Sequence, residues 1–600
     1  MAPAGARRGP RGAGDPRSRL QRERPARGPH RALSRLPAAG HARHRGARER
    51  RDRCAWRLHR GPAQRPPDRP DRPEPRPAPE DRPREVDTDP AWPPARADHA
   101  RPVSPAAEDL TAKLGPGALV WAGFDGDAVP APLLDAIRLG TVGGLLLFAF
   151  RGNIRSKEQV RGMLREAQDA ARNAGLPPIP VAVDQEGGTV VRIGYRAVFP
   201  SAMAIGATGD ARYAERAARA VALGLRADGI TVNHAPVCDV NVEPRNPVIG
   251  TRSFGDDPGR VAEFASAWVR GSEPSGVAST PKHFPGHGDT AQDSHFTRPD
   301  VTADRSTLER RDLRPFKAAF AAGATMVMTA HIRYPALDPN APATISRAIL
   351  TDLLRSDLGF GGLCVTDSLD MSGIADISVQ DVVVTGVEAG VDAMMVTSGL
   401  DRQLAAAGWI ERGVRPERIA QALSRATSFR AKFGGRDAEG DVDDGPARAL
   451  AAEIAAASIT HVGPPLPRLD GPVRVAYFAP KLASPVEELA HPANVFEREL
   501  RARFGGQLRF ASGGSVPDGD GSLVVCSTNA WSQPEQSARV RALLAQGGVL
   551  CAMRSPYDAA LVPDRPVLLS YGDVPVSLAA LAAVLAGERT ATGTAPVKIA

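Results

Sequence analysis

From about residue 110 onward, short runs of apolar and β-branched residues alternate with longer stretches whose apolar positions recur every three to four residues. The first pattern predicts buried strands and the second predicts amphipathic helices. Strands are expected at Ala118–Phe124, Gly144–Phe148, Ile179–Val183, Ile230–His234, Val277–Lys282, Thr325–Ala330, Leu363–Thr366 and Ala393–Val396. Helices are expected between them at Ser156–Asn173, Asp210–Ala227, Pro258–Gly271, Leu308–Ala322, Ser346–Ser356 and Val379–Ala389. Eight strands, most followed by a helix, over roughly 300 residues predict an α/β fold of the TIM-like (β/α)8-barrel kind. No Gly-rich dinucleotide fingerprint follows the first strand, which argues against a doubly wound nucleotide-binding sheet.

The texture changes after about residue 435. An acidic, Gly-containing stretch, Asp437–Gly445, reads as a linker, and the Ala-rich Pro446–Ala457 reads as a helix. Strand patterns follow at Val473–Phe478, Gln507–Ala511, Leu523–Ser527, Gly548–Arg554 and Val567–Tyr571, with a helix at Ser537–Ala545. The expected organisation is a barrel over 103–435, a linker and helix over 436–459, and a smaller α/β, sandwich-like domain over 460–600. A segment of about 140 residues is long enough for its own core.

Charge separates the first hundred residues from the rest. They hold 25 Arg, no Lys and 13 Asp plus Glu, and they lack Ile, Phe, Tyr and Asn, whereas the whole chain is only +8. The body is therefore mildly acidic. A segment so poor in large apolar residues cannot offset its chain entropy, so residues 1–102 are expected to be a disordered Arg/Pro-rich leader. The composition also matches translated GC-rich DNA upstream of a true start at Val86 or Val103. Without aromatic interleaving it makes a weak nucleic-acid tail, and no nucleic-acid partner is expected. No apolar run reaches membrane-spanning length. Cys54, Cys238, Cys364, Cys526 and Cys551 show neither paired nor CxxC spacing, so no disulfide framework or zinc site is indicated. A cytoplasmic location and a monomer are expected.

The densest chemistry is Lys282-His283-Phe284-Pro285-Gly286-His287-Gly288-Asp289-Thr290, followed by Asp293-Ser294-His295. Packed cores rarely hold so many titratable groups together. The glycines and proline suit a loop that carries a proton donor. Asp293 stands two residues before His295, so its carboxylate can fix the imidazole tautomer and raise the basicity of the other nitrogen. His283, His287, Asp289, Asp293 and His295 could in principle ligate a metal. Pro285, Gly286 and Gly288 forbid the helix that a His-x-x-x-His site needs, and no metal is expected. Asp184, His331 and Asp367 each follow a predicted strand, as catalytic groups do in a barrel. Asp367 could equally be a helix cap. Asp184-Gln185-Glu186-Gly187-Gly188 places carboxylates where paired glycines allow close approach to a ligand, with Arg192 and Arg252 as partners for ligand oxygens.

These segments, together with Phe199–Met203, Asn233–Val240, Asn246–Gly255 and Thr366–Met371, resemble family 3 glycoside hydrolases, specifically the bacterial β-N-acetylglucosaminidases of the NagZ type. The resemblance covers about residues 110–430. It implies a retaining hydrolase that removes terminal N-acetylglucosamine from cell-wall fragments without a cofactor. It assigns Asp367 as nucleophile, His295 as acid/base and Asp293 as its partner. It gives Asp184, Arg192, Arg252, Lys282 and His283 to sugar binding. The partner is then a small carbohydrate. Many relatives carry two consecutive aspartates at the nucleophile position, where this chain has Asp367-Ser368. The smaller domain shows no acid/base carboxylate motif, which leaves it a structural or rim role. A phosphorylase of the same family, a broader β-glucosidase or β-xylosidase, and a non-catalytic carbohydrate-binding protein on the same scaffold are the rival readings.

Overall fold

The computed structural model describes residues 114–599, apart from 439, 482–483 and 488–492. The expected disorder of residues 1–102 lies outside the described residues. All the described residues belong to one compact unit.

Eight short parallel strands run through its first part: β1 (Val120–Gly123), β2 (Gly144–Leu147), β3 (Val181–Val183), β4 (Val232–Asn233), β5 (Ala278–Ser279), β6 (Met326–Met328), β7 (Leu363–Val365) and β8 (Met394–Val396). Each falls inside a run predicted from sequence. β8 pairs with β1, and β1 through β5 pair in chain order. β6 pairs with β7. Single parallel bridges link Phe284, in the segment after β5, to Thr329 at the end of β6, and Val365 of β7 to Ala393 just before β8. Every strand residue of β1, β2, β3, β6, β7 and β8 is buried, as parallel strands covered on both faces should be.

The helices follow their sequence signals. Lys157–Asn173 starts where the Ser156 hydroxyl accepts from the Gln159 amide, and it buries Val160, Met163, Leu164, Ala167 and Ala171 along one stripe. Pro258–Ser272 is capped by Asp257 and has proline at its first position. Val379–Ala389 is capped by Ser378. Two predictions are corrected. Leu308–Ala322 is two helices, Arg305–Arg310 and Leu313–Ala321, broken where Asp312 turns inward and pairs with Arg311. Ser346–Ser356 is wound as a π-helix over Ala348–Asp357.

The second part is a six-stranded sheet of β9 (Thr460–Val462), β10 (Val473–Tyr477), β11 (Leu508–Ser512), β12 (Ser522–Ser527), β13 (Val549–Ala552) and β14 (Val567–Leu569). Its order is β9-β14-β13-β12-β10-β11, parallel except for β9. The helix Pro575–Leu585 is buried on nearly every side, which is why it lacks a readable period. Met203, Ala204 and Ala207 share a core cluster with Ala476, Val525 and Leu550 of this sheet. The Ser201 hydroxyl donates to the Tyr571 carbonyl at 2.7 Å across the same contact. The linker stretch is held by ion pairs from Asp437 to Arg172 and from Asp441 to Lys157. No described helix is long and apolar enough to cross a membrane.

Candidate active site

Asp367 follows β7 and is the residue around which the others gather. Its Oδ1 accepts the Ser368 amide at 2.8 Å, and its Oδ2 lies 3.9 Å from His283 Nε2. Burial opposes ionisation of this carboxyl. The imidazoles of His283, His331 and His295 outweigh burial and hold it below the ordinary carboxylate range. His331 donates from Nε2 to the Ser368 carbonyl at 2.9 Å, and burial lowers its own pKa. Asp370, the other carboxylate of this turn, is occupied: it accepts from the Thr397 hydroxyl at 2.5 Å and the Ser398 hydroxyl at 2.6 Å.

The loop after β5 is gathered by Asp239. One of its oxygens accepts the backbone amides of His283 at 3.1 Å and His287 at 2.7 Å, and the other sits 2.7 Å from His283 Nδ1. That contact fixes the His283 tautomer and leaves Nε2 toward Asp367. Gly288 is required here, because a Cβ at this position would lie 1.8 Å from the Val240 carbonyl oxygen. His287 is a loop organiser. Its ring nitrogens meet the Thr290 hydroxyl at 3.0 Å and the Ser294 hydroxyl at 2.9 Å, and burial pushes its pKa down to about 4. Among the described residues, no three His, Cys, Asp or Glu side chains converge as a metal site requires.

Further along the loop, His295 Nδ1 lies 2.7 Å from Asp293 Oδ1, and the same oxygen accepts the His295 amide at 2.8 Å. Burial works against the Asp293 carboxylate, but its bonds to His295 hold its pKa below the ordinary value. The ring keeps Nε2 available for proton transfer. Residues 293–295 are anchored to the turn after β7, since the Gly373 amide donates to the Ser294 carbonyl at 2.9 Å.

The remaining predicted residues form a buried charge cluster. Lys282 Nζ lies 2.7 Å from Asp184 and 2.6 Å from Glu186, and Arg252 makes a bidentate pair with Glu186 at 2.9 Å on both arms. Despite burial, Arg252 and Lys282 bring Glu186 down to about 2, and Lys282, His234 and Arg192 carry Asp184 still lower. Arg252 Nη2 is 3.5 Å from His283 Nε2, whose ring in turn lies 3.9 Å from Asp367, so the cluster adjoins the nucleophile candidate. Arg192 lies over the Phe150 ring and donates from Nη2 to the Val486 carbonyl at 3.0 Å.

Val486 belongs to the second part of the chain, and so does Ser484, whose hydroxyl is 3.4 Å from His295 Nδ1. The C-terminal domain, expected to have a structural or rim role, places both residues beside this site.

Residues 130–428 match the glycosyl hydrolase family 3 N-terminal domain. The Cellulomonas fimi β-N-acetylglucosaminidase/β-glucosidase is 30% identical over 477 residues, which span 70% of this chain and 83% of that protein. The chain belongs to glycosyl hydrolase family 3. Another relative, β-hexosaminidase A of Pseudoalteromonas piscicida, is 41% identical over 288 residues, 45% of this chain. The match spans about half (48%) of that relative's length. The solved family 3 β-N-acetylglucosaminidase from Paenibacillus sp. str. FPU-7 superposes with a TM-score of 0.74 at 33% identity, covering 81% of this chain and 98% of that one. As a family 3 member the chain is a glycoside hydrolase, and the resemblance read from its motifs is confirmed.

All eight site residues predicted from sequence lie in this one neighbourhood. Sequence reasoning passed over the roles of Asp239 and Glu186, although both stand within the motifs it quoted. A buried carboxylate that organises a loop leaves no local signal. Ser484 carried no signal at all.

Proposed function

We propose that this glycoside hydrolase is a retaining, exo-acting β-N-acetylglucosaminidase on a closed (β/α)8 barrel (103–435), with cell-wall fragments as substrate. The observation that carries the reading is Asp367: one ionised carboxylate ringed by imidazoles at the end of β7, with the Asp293–His295 pair close enough to act on its charge. The names of the relatives from Cellulomonas fimi and Paenibacillus support the sugar.

The residues divide the work as follows. Asp184, Arg192, Arg252, Lys282 and His283 hold the terminal N-acetylglucosamine. An Asp367 oxygen attacks the anomeric carbon while the bond to the leaving oxygen breaks, and that oxygen takes a proton from His295 Nε2. The neutral imidazole then removes a proton from water. The hydroxide equivalent attacks the anomeric carbon on the face the leaving group vacated. Asp367 departs as a carboxylate, and the β configuration is retained. Asp293 holds the ring and compensates its charge in the protonated state. A histidine acid suits this site because it adds no second negative charge beside the nucleophile.

The test is hydrolysis of a nitrophenyl β-N-acetylglucosaminide followed by proton NMR. β-N-acetylglucosamine appearing before its α anomer is the expected result, at a rate independent of added phosphate. A sugar 1-phosphate would make the protein a phosphorylase instead.

A further inference from the structure

Ser484 reaches the acid/base pair from a sequence separation of 189 residues. It opens the turn Ser484-Pro485-Val486-Glu487, in which the Glu487 amide donates to the Ser484 carbonyl at 3.1 Å. Proline at the second position presets such a turn and restrains the residue before it. The turn is held from both sides. On the C-terminal side, buried Arg554 lies 3.3 Å from Glu487 Oε2 and 3.1 Å from Asp573 Oδ1. On the other side, Val486 packs on Val237, Val248 and Ile249, and its carbonyl accepts from Arg192. Val248 in turn accepts from Arg252 through its carbonyl at 2.9 Å. Ser484 is only 3% exposed, so it does not serve solvent.

We infer that Ser484 is a positioning residue for the acid/base dyad, and that the turn Ser484–Glu487 completes the active site from the C-terminal domain. The inference rests on the functional reading above. Asp293 Oδ1 already takes both the ring and the amide of His295, so the pair has one direction of restraint. Ser484 adds a second contact to the same ring nitrogen from the C-terminal domain. Its hydroxyl is also among the groups that stabilise the Asp293 anion, after burial, which opposes it, and the His295 contacts. The ring is thereby kept aimed at the leaving oxygen. The proton delivery that this secures matters most when the leaving group is a poor one.

The experiment compares Ser484→Ala and Ser484→Thr with the wild-type full chain on a β-linked N-acetylglucosamine disaccharide and on its nitrophenyl glycoside. For Ser484→Ala, kcat on the disaccharide should fall about tenfold or more, with KM within about twofold, while the nitrophenyl rate falls less than about threefold. Ser484→Thr keeps a hydroxyl and should recover most of the loss. The acid limb of the pH profile should move up in Ser484→Ala, because Asp293 loses a donor to its anion. Equal losses on both substrates, no loss, or a change in KM alone would overturn the inference. Carbon-13 NMR titration of Asp293 reads the contact without turnover. An upward shift of its midpoint in Ser484→Ala is expected, and superimposable curves would refute the role. A wild-type protein inactive on every N-acetylglucosaminide would instead refute the functional reading, and the titration would then decide this one alone.

Discussion

Asp367 and Asp370 lie three positions apart in one turn, and only their partners tell them apart. Hydroxyls from Thr397 and Ser398 occupy Asp370, whereas Asp367 keeps one oxygen toward His283. Replacing Asp367 with Ala should lower kcat by at least about a thousandfold with the far-ultraviolet circular dichroism unchanged. Asp370→Asn should leave most of the activity. Removal of the proposed acid has a different signature. His295→Ala should slow a disaccharide by about 10²–10⁴-fold but an activated aryl glycoside much less, since a good leaving group needs little protonation. A uniform loss would contradict the proton-donor role. Lys282 is a buried cation shared by two carboxylates. Lys282→Met should cost about 3–5 kcal/mol in chemical denaturation, because it strands the negative charges it now balances.

At the scale of elements, the loop from Lys282 to His295 is shaped by what lies beneath it. Gly288 passes against the Val240 carbonyl, and Gly286 passes against the Asp312 side chain with φ of +140°. Gly288→Ala should reduce the thermal midpoint and the activity together, because the loop must move off β4's continuation to admit a methyl group. Asp312 stands at the break between the helices Arg305–Arg310 and Leu313–Ala321. Burial raises its carboxyl from the ordinary 3.8 to about 7, against the opposing pull of Arg311. The folded state therefore keeps a proton that the unfolded chain releases near pH 4. The associated stability is complete below pH 4 and is lost as pH rises through about 7. At about 1.4 kcal/mol per unit, the loss is on the order of 4 kcal/mol as an upper bound. Urea midpoints taken from pH 4 to pH 8 should fall more steeply for the wild type than for Asp312→Asn.

Across the whole molecule, two strand systems share one site. The C-terminal sheet buries Met203 and Ala204 and delivers Ser484 and Val486 to His295 and Arg192. The eight parallel strands were legible from their apolar runs, because burial on both faces leaves continuous β-branched and aliphatic stretches. The helix break at Asp312 was hidden, since its cause is a carboxylate turning under a loop some twenty-five residues earlier, and an amphipathic period carries no mark of that. The two short strands Gln185–Gly187 and Val190–Val191 were equally hidden beneath a motif of carboxylates and glycines.

The sequence by itself determined the order of strands and helices, the position of chemical groups at strand ends, and the glycines and prolines that let the His283–His295 loop turn. All of these depend on neighbours a few positions away. Tertiary structure alone decided which carboxylates would be ionised beside imidazoles, that Asp239 would gather the loop, and that a serine from a turn of the C-terminal domain would meet His295. Those outcomes arise where segments distant along the chain pack together, and local periodicity holds no record of which side chains will meet there.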